Sequence, residues 1–219
     1  MIKAVIFDMD GLMIDSERVK NRFRSEIKRD MGYGDDSDLM SETFGKTRTE
    51  IRRIYIERYG PGYPLEEIYK RCNALWKDYL DEYGVPIKKG LIELLEYLKD
   101  SDYQIGVATS TGERETKYLL KEADIIDYFD VIVTGEMVVR SKPQPDVYLK
   151  AARLLSIEPE YCMALEDSPN GVRSALNAGM EVVMVPDMIE PTGELKKIAS
   201  YVVDSLDDVI PILKRECRG

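Results

Sequence analysis

Two aspartates, Asp8 and Asp10, stand directly after the first hydrophobic run of the chain. That run, residues 3–7, is rich in β-branched and aromatic side chains and predicts a buried parallel strand. Side chains alternate along a strand, so residues spaced by two face the same side, and Gly11 permits a sharp turn behind them. Folds of the α/β class bind their ligands at the carboxyl ends of strands. A carboxylate pair there can supply a nucleophile or metal ligand together with a proton donor.

Three further polar clusters each follow a predicted strand of their own. Their members are Thr109, Ser110, Thr111 and Gly112 in the first, Lys142 beside Ser141, Pro143 and Pro145 in the second, and Glu166, Asp167 and Ser168 in the third. Hydroxyls and free backbone N–H groups before a helix form an anion seat. Carboxylates at two strand ends can share a hard cation while a hydroxyl and a lysine neutralise phosphoryl oxygens. Each cluster alone is typical of a helix cap or an exposed lysine, but their joint occurrence predicts a phosphoryl-transfer site.

The composition narrows the class of protein. At 219 residues, with 44% hydrophobic and 33% charged residues, the chain is typical of globular proteins. A net charge of -10 without a long basic run argues against nucleic acid as a partner. The first apolar run is too short for a membrane span, and a signal-peptide pattern is absent. The 3 scattered cysteines favour a reducing, cytoplasmic location.

The chain contains no histidine. This excludes Ser-His-Asp and Cys-His catalysis as well as histidine-ligated zinc. A bound metal would need oxygen ligands, which favours Mg²⁺ or a similar hard cation.

A long helical stretch separates the first strand from the rest of the sequence. Residues 16–85 carry helical patterns, with helices predicted over 18–31, 36–43, 47–59 and 65–83. From residue 88 helices and strands alternate, with strands at 104–108, 131–133, 162–165, 181–185 and 201–203 and helices at 91–99, 113–122, 146–155, 171–178, 194–199 and 206–214. Such alternation predicts a parallel, doubly wound α/β sheet. We therefore expect an α/β core over 1–15 and 86–219, with 16–85 as a helical cap inserted beside the two aspartates.

The four clusters resemble the motifs of the haloacid dehalogenase superfamily. The resemblance rests on Phe7-Asp8-Met9-Asp10-Gly11, Thr109, Lys142-Pro143 and Glu166-Asp167, and it spans nearly the whole chain. The helical insertion, together with Ser168-Pro169-Asn170-Gly171 and Ala178-Gly179-Met180, is similar to the β-phosphoglucomutase-like branch with a helical cap. The stretches 8–17 and 183–187 also resemble pseudouridine 5′-phosphatase-like members.

The resemblance implies a role for each matching residue. Asp8 would attack phosphorus to give an aspartyl phosphate, and Asp10 would protonate the leaving oxygen and then activate water. Thr109, Ser110 and Lys142 would bind phosphoryl oxygens. Mg²⁺ would be held by Asp8, the Asp10 carbonyl, Asp167 and Glu166, the last directly or through water. An acid such as Asp10 is superfluous in a dehalogenase, so the resemblance favours phosphate chemistry over halide chemistry.

The predicted cap carries the residues expected to choose the substrate. Lys46 and Arg48, next to Gly45 at a helix start, resemble the specificity loop of this branch, and Arg48 could clamp a carboxylate or second phosphate. An exposed helix start is the alternative explanation for both. Where mutases of this branch carry a histidine that assists the acid, this chain has Lys20, and Phe44 replaces the lysine before the loop glycine. These two differences favour hydrolysis of the phosphate ester over the phosphomutase reaction.

The leading hypothesis is a Mg²⁺-dependent phosphatase acting on a small phosphorylated metabolite, a sugar phosphate or a nucleoside-type monophosphate. The alternatives are a β-phosphoglucomutase-type phosphomutase, a non-catalytic metabolite-binding module, and phosphonate cleavage through a lysine Schiff base at Lys46 or Lys20. We expect a monomer, because the pattern leaves no apolar stripe without a partner.

Overall fold

The structure is a computed structural model, and it describes residues 1–34, 39, 43, 48–188 and 190–216, with the backbone alone at 48 and 216. It divides into two compact units, Met1–Asp15 with Val85–Gly219 and Ser16–Gly84. We call the first the core unit and the second the helical unit. That the helical unit serves as a cap remains a prediction.

The core unit is built on one six-stranded parallel sheet. Its strands are β1 Ala4–Phe7, β2 Gln104–Ala108, β3 Val131–Val133, β4 Cys162–Glu166, β5 Glu181–Met184 and β6 Tyr201–Val202. They lie in the order β3-β2-β1-β4-β5-β6, and neighbouring strands pair in parallel. Strand β1 is therefore central, with Phe7 in register with Val107 on β2 and Leu165 on β4. The predicted doubly wound α/β fold is confirmed.

The helices follow the predicted order. They are α1 Ser16–Asp30, α2 Arg48–Tyr59, α3 Leu65–Tyr83, α4 Leu91–Asp100, α5 Glu113–Glu122, α6 Asp146–Leu155, α7 Pro169–Asn177, α8 Leu195–Ile198 and α9 Val209–Glu216. Most ends lie within two residues of the predicted ones. The last helix starts later than expected because Leu206–Asp208 form a 3-10 turn, which a capping box between Ser205 and Asp208 fixes. The predicted helix 36–43 lies outside the described residues except at 39 and 43.

Strand β1 is buried along its whole length. Ala4 and Ile6 pack into one cluster with Tyr148 and Ala151 of α6 and Val172 of α7. A strand buried on both faces needs an unbroken apolar run, and residues 4–7 supply one. The packing fixes β1 in the sheet, and with it the two aspartates that follow.

The helical unit packs through its aromatic side chains. Tyr63 stacks on Tyr55 at 4.8 Å and on Tyr59 at 5.1 Å between ring centroids, and Trp76 is 5% exposed. Tyr55, Tyr59, Tyr63 and Trp76 therefore pack within the helical unit. Among the described residues, no helix is long and apolar enough to cross a membrane.

A short ribbon closes the core unit where the chain leaves it and returns. The Asp15 N–H donates to the Pro86 carbonyl at 2.8 Å, and the Lys88 N–H donates to the Met13 carbonyl at 2.9 Å. Lys88 Nζ lies 2.7 Å from Asp187 Oδ1 and 3.6 Å from Asp15 Oδ1. Asp187 follows β5 and its side chain is 1% exposed, so Lys88 connects the ribbon to the carboxyl edge of the sheet.

Candidate active site

Asp8 and Asp10 follow β1 at the carboxyl edge of the sheet. Asp8 is 7% exposed, and its N–H donates to the Leu165 carbonyl of β4 at 3.0 Å, which extends the ladder by one residue. Gly11 has a φ of +86°, and a Cβ there would lie 2.3 Å from Asp167 Oδ2. Glycine is therefore required at position 11, both for the left-handed backbone and for the close approach of Asp167.

Lys142 contacts polar groups at three strand ends, namely two carboxylates and one backbone carbonyl. Its Nζ lies 2.5 Å from Asp8 Oδ1, 2.6 Å from Glu166 Oε1 and 2.9 Å from the Ala108 carbonyl oxygen. Burial lowers the pKa of Lys142, but the Asp8 and Glu166 carboxylates outweigh burial and raise the pKa above its ordinary value. Lys142 is therefore a fixed cation where the ends of β1, β2 and β4 meet.

Glu166 is fully buried at the end of β4. Its Oε1 accepts from Lys142 Nζ and from the Tyr148 hydroxyl, each at 2.6 Å. Its Oε2 accepts from the Ser168 hydroxyl at 3.2 Å and from the Ser168 N–H at 3.4 Å. The Ser168 hydroxyl also accepts from the Gly171 N–H at 3.1 Å, which caps α7. The helix cap expected of this cluster is therefore present, and the same Ser168 hydroxyl contacts the Glu166 carboxylate.

The hydroxyl cluster follows β2. Thr109 is 1% exposed, and its Oγ1 accepts from the Thr111 N–H at 3.0 Å. The Thr111 hydroxyl donates to Asp10 Oδ2 at 2.6 Å. Thr109, Ser110 and Lys142 share the lining of a cavity of about 310 Å³. The structure thus brings the three predicted phosphoryl-binding residues to one cavity.

The acids of this edge suit a divalent cation. Oxygen atoms of Asp8, Glu166 and Asp167 lie within 4.8 Å of one another. Carboxylate oxygens are the ligands that Mg²⁺ prefers. The donor set therefore fits the predicted ion, whereas the part played by the Asp10 carbonyl stays a prediction.

The electrostatics of this edge of the sheet also favour a bound cation. The pKa of Asp8 is raised to about 7, chiefly by burial and also by the charges of Glu166 and Asp10. The charge of Lys142 acts in the opposite direction and lowers this pKa. Burial, followed by the charges of Asp8 and Glu166, raises the pKa of Asp167 well above its ordinary value. Several buried acids around one lysine leave negative charge uncompensated, which a bound cation would offset.

The predicted substrate-selecting residues belong to the helical unit or lie outside the described part. Lys46 is outside the described residues. Arg48 is the first residue of α2, and its backbone alone is described. Lys20 lies on α1 with its Nζ 5.1 Å from the centroid of the Trp76 ring. Contact of any of the three with a substrate stays a prediction.

Two residues with close contacts to this site were missed as site residues. The sequence motifs include Thr111 only as a member of a hydroxyl cluster, and they do not include Tyr148. Tyr148 lies on α6 with 0% exposure, although its hydroxyl is polar. Tyr148 could have been predicted from its position in an otherwise apolar helix face, six residues beyond Lys142. A tyrosine buried there needs a hydrogen-bond partner for its hydroxyl, and the site can supply one.

This fold, with acids around one lysine at the carboxyl edge of the sheet, defines the class of haloacid dehalogenase-like hydrolases. The chain belongs to that family, since the family model described as "Haloacid dehalogenase-like hydrolase" matches residues 5–185. The resemblance recognised in the sequence is therefore confirmed.

Several relatives carry names that agree with the predicted enzyme class. The chain is 33% identical to the phosphorylated carbohydrates phosphatase of Thermotoga maritima, over 82% of this chain and 83% of the relative. It is 31% identical to the probable pseudouridine-5'-phosphatase of Drosophila melanogaster, over 94% and 90% of the two chains. The crystal structure of CbbY from Rhodobacter sphaeroides in complex with phosphate has a TM-score of 0.74 and 27% identity, covering 95% of this chain and 96% of the other.

Proposed function

We propose that the chain is a Mg²⁺-dependent phosphatase that hydrolyses a small phosphorylated metabolite through an aspartyl-phosphate intermediate. The observation that carries the proposal is the 2.5 Å contact between Lys142 Nζ and Asp8 Oδ1. It keeps a buried carboxylate beside a fixed cation, which is what a nucleophile facing an anionic phosphoryl group requires. The names of the relatives support phosphate monoesters as the substrate class.

The reaction divides between the two aspartates. An Asp8 oxygen attacks phosphorus in line, the bond from phosphorus to the ester oxygen breaks, and Asp10 gives its proton to the leaving oxygen. Asp10 then takes a proton from a water molecule that attacks the aspartyl phosphate. The bond from Asp8 to phosphorus breaks, and inorganic phosphate leaves. The Thr111 hydroxyl, 2.6 Å from Asp10 Oδ2, orients the acid for both transfers.

The other groups bind and neutralise the phosphoryl oxygens. Thr109 and Ser110 donate from the β2 end, and Lys142 supplies positive charge. Asp8, Asp167 and the Asp10 carbonyl would hold Mg²⁺, with Glu166 beside them. When bound, the ion neutralises charge that develops on the phosphoryl oxygens.

The substrate is a sugar phosphate or a nucleoside-type monophosphate. The relatives named above include a carbohydrate-phosphate phosphatase and a pseudouridine phosphatase, and this range supports both groups. Lys46 and Arg48 are the residues proposed to select among them.

Phosphate release from a panel of sugar phosphates and nucleoside monophosphates tests the proposal. We expect Mg²⁺-stimulated release that a chelator abolishes and that Asp8→Asn reduces at least 10³-fold, as for loss of a catalytic nucleophile. Asp100→Asn, at the exposed end of α4, is the matched control and should retain full activity. Undiminished turnover by Asp8→Asn would refute the mechanism. Interconversion of hexose phosphate isomers with a bisphosphate primer, faster than hydrolysis, would favour the phosphomutase instead.

A further inference from the structure

Glu166 differs from the other acids of the site in how completely it is enclosed by the protein. A carboxylate accepts about four hydrogen bonds, two at each oxygen. Oε1 receives Lys142 Nζ and the Tyr148 hydroxyl, and Oε2 receives the Ser168 hydroxyl and N–H. A Cβ at Gly171 would lie 1.9 Å from the Glu166 carboxyl carbon, so the backbone of α7 closes over the group. The acceptor positions of Glu166 are thus occupied by donors of the protein.

Asp167 has a different environment. Its carboxylate lies at the turn of Gly11, and its oxygens lie with those of Asp8 and Glu166 in the group that suits a cation. The two neighbouring acids are therefore suited to different tasks. Asp167 can present an oxygen to a metal ion, whereas Glu166 already uses its oxygens to hold Lys142 and the start of α7.

Tyr148 is the donor that completes this arrangement. Its hydroxyl lies 2.6 Å from Glu166 Oε1 and 3.4 Å from Lys142 Nζ, and the centroid of its ring lies 4.9 Å from the same ammonium. Tyr148 is 0% exposed in the cluster that covers one face of the sheet. The ring therefore belongs to the core, while the hydroxyl reaches the site.

We propose that Tyr148 is a positioning residue, which holds Glu166 out of the inner coordination shell of the metal and keeps Lys142 against Asp8. The hydroxyl and the ammonium share Oε1, so removing the hydroxyl frees that oxygen to rotate and pull Lys142 with it. Glu166 is then a support for the metal site rather than a direct ligand. The proposal rests on the proposed function for its catalytic meaning, but not for its effect on metal binding.

Tyr148→Phe tests the proposal because it removes the hydroxyl and keeps the ring. The probe is Mn²⁺, a hard cation with the ligand preference of Mg²⁺, titrated into metal-free protein while the signal of the free ion is followed by electron paramagnetic resonance. We expect affinity to fall about tenfold, because the freed Glu166 carboxylate draws Lys142 away from Asp8, and Asp8, a proposed ligand, then loses the partner that orients it. Tyr97→Phe is the matched control, on α4 with its ring 5.3 Å from Lys214 Nζ, and should bind Mn²⁺ like the wild type.

A double-mutant cycle shows whether Tyr148 acts through Glu166. In a Glu166→Leu background, Tyr148→Phe should not weaken Mn²⁺ binding further, because the acceptor is gone. If the Glu166→Leu protein does not fold, Glu166→Gln replaces it. In the Glu166→Gln background, Tyr148→Phe should change the logarithm of the Mn²⁺ affinity by less than half of its effect in the wild-type background, because the charged acceptor is lost. The proposal would be overturned if Tyr148→Phe weakened Mn²⁺ binding equally in the wild-type and the Glu166-variant backgrounds. It would also be overturned if Tyr148→Phe alone bound Mn²⁺ with wild-type affinity.

The two proposals fail in different ways. Mn²⁺ titration needs no substrate, so a chain that behaves as expected in the cycle but releases no phosphate from the panel refutes the phosphatase and leaves the role of Tyr148 standing. A chain that hydrolyses phosphate esters but binds Mn²⁺ equally well with and without the Tyr148 hydroxyl refutes the positioning role alone.

Discussion

At the scale of single residues, the site holds more buried carboxylates than positively charged groups. Asp8 and Glu166 both pair with Lys142, Asp167 lies beside them, and burial raises the pKa of Asp8 to about 7. Burial of unequal charge costs stability, and such costs persist where they serve binding or chemistry. The acids of this edge therefore cost folding stability in the absence of the cation that we propose to bind there.

Asp8→Asn should raise the free energy of unfolding of the metal-free protein while it abolishes turnover. The folded pKa of about 7 lies above the ordinary 3.8, so the native state holds the Asp8 proton more tightly than the unfolded chain. The stability that this group contributes is present below about pH 4 and is lost as pH rises through 7. We expect a gain of about 1–3 kcal/mol at pH 8 that shrinks towards pH 4. Urea unfolding at several pH values measures it, and a variant less stable than the wild type at pH 8 would contradict it.

Thr111→Val should slow catalysis without unfolding the protein. The variant keeps the shape of the side chain but loses the hydroxyl that donates to Asp10 Oδ2 at 2.6 Å. We expect kcat to fall about tenfold, part of the 10²–10⁴ that a positioned acid supplies.

Thr116→Val is the matched control for that experiment. Thr116 is fully buried, and within the described part of the chain its hydroxyl lacks a hydrogen-bond partner. This substitution should therefore leave kcat unchanged and the protein at least as stable. Equal kcat values for the two variants would show that the contact to Asp10 does not matter.

At the scale of elements, the site depends on how closely β4 and α7 approach each other. The carboxylate at the end of β4 lies beneath the backbone of α7 at Gly171, and Ser168 between them both caps the helix and binds the carboxylate. A strand end and a helix start are thus joined by one buried acid, Glu166.

Gly171→Ala should damage stability and activity together. The added Cβ would meet the Glu166 side chain at 1.9 Å, and that carboxylate has no room to move because its oxygens are held on both sides. We expect a loss of about 2–3 kcal/mol, as for overpacked cores, and a kcat at least tenfold lower. Gly193→Ala is the control, because its Cβ would meet nothing within 4 Å. Thermal unfolding and phosphate release check both, and a fully active, stable Gly171→Ala would contradict the described contact.

At the scale of the whole molecule, Lys88 connects the ribbon that closes the core unit to the carboxyl edge of the sheet. Lys88 reaches Asp187 at 2.7 Å, and the two side chains are 19% and 1% exposed. Its neighbour Lys89 is 81% exposed and lies 4.0 Å from Asp207. Two adjacent lysines with opposite burial offer a matched comparison.

Lys88→Met should lower the free energy of unfolding by about 2–3 kcal/mol, because it leaves the buried Asp187 carboxylate without its ammonium partner. Lys89→Met should change it by less than about 0.5 kcal/mol, as exposed ion pairs contribute little. Urea unfolding of both variants at pH 7 makes the comparison. Equal effects would mean that the Lys88–Asp187 pair does not stabilise the core unit.

Most of the fold could be predicted because it follows from local patterns. Unbroken apolar runs marked strands covered on both faces, and regular alternation with helices fixed a parallel sheet. The gathering of Asp8, Lys142 and Asp167 could be predicted as well, because parallel strands end at one edge.

The contacts between elements could not be predicted from such patterns. The Tyr148 hydroxyl reaches Glu166 through the packing of α6 against the sheet, and no spacing along the chain records that tertiary contact. The same holds for Thr111, whose partner Asp10 is about a hundred residues away in sequence. The 3-10 turn at Leu206–Asp208 departs from the predicted helix, and it carries a capping box between Ser205 and Asp208.

The order β3-β2-β1-β4-β5-β6 also has a consequence for biosynthesis. Strand β1 leaves the ribosome before the other strands of the sheet, yet its two neighbours in the sheet begin at Gln104 and Cys162. At about 5–20 residues per second, it waits on the order of 10 s or more for the later neighbour. During that interval an apolar segment with both edges open is exposed to other nascent chains, so chaperone demand should be greatest before Glu166 has emerged.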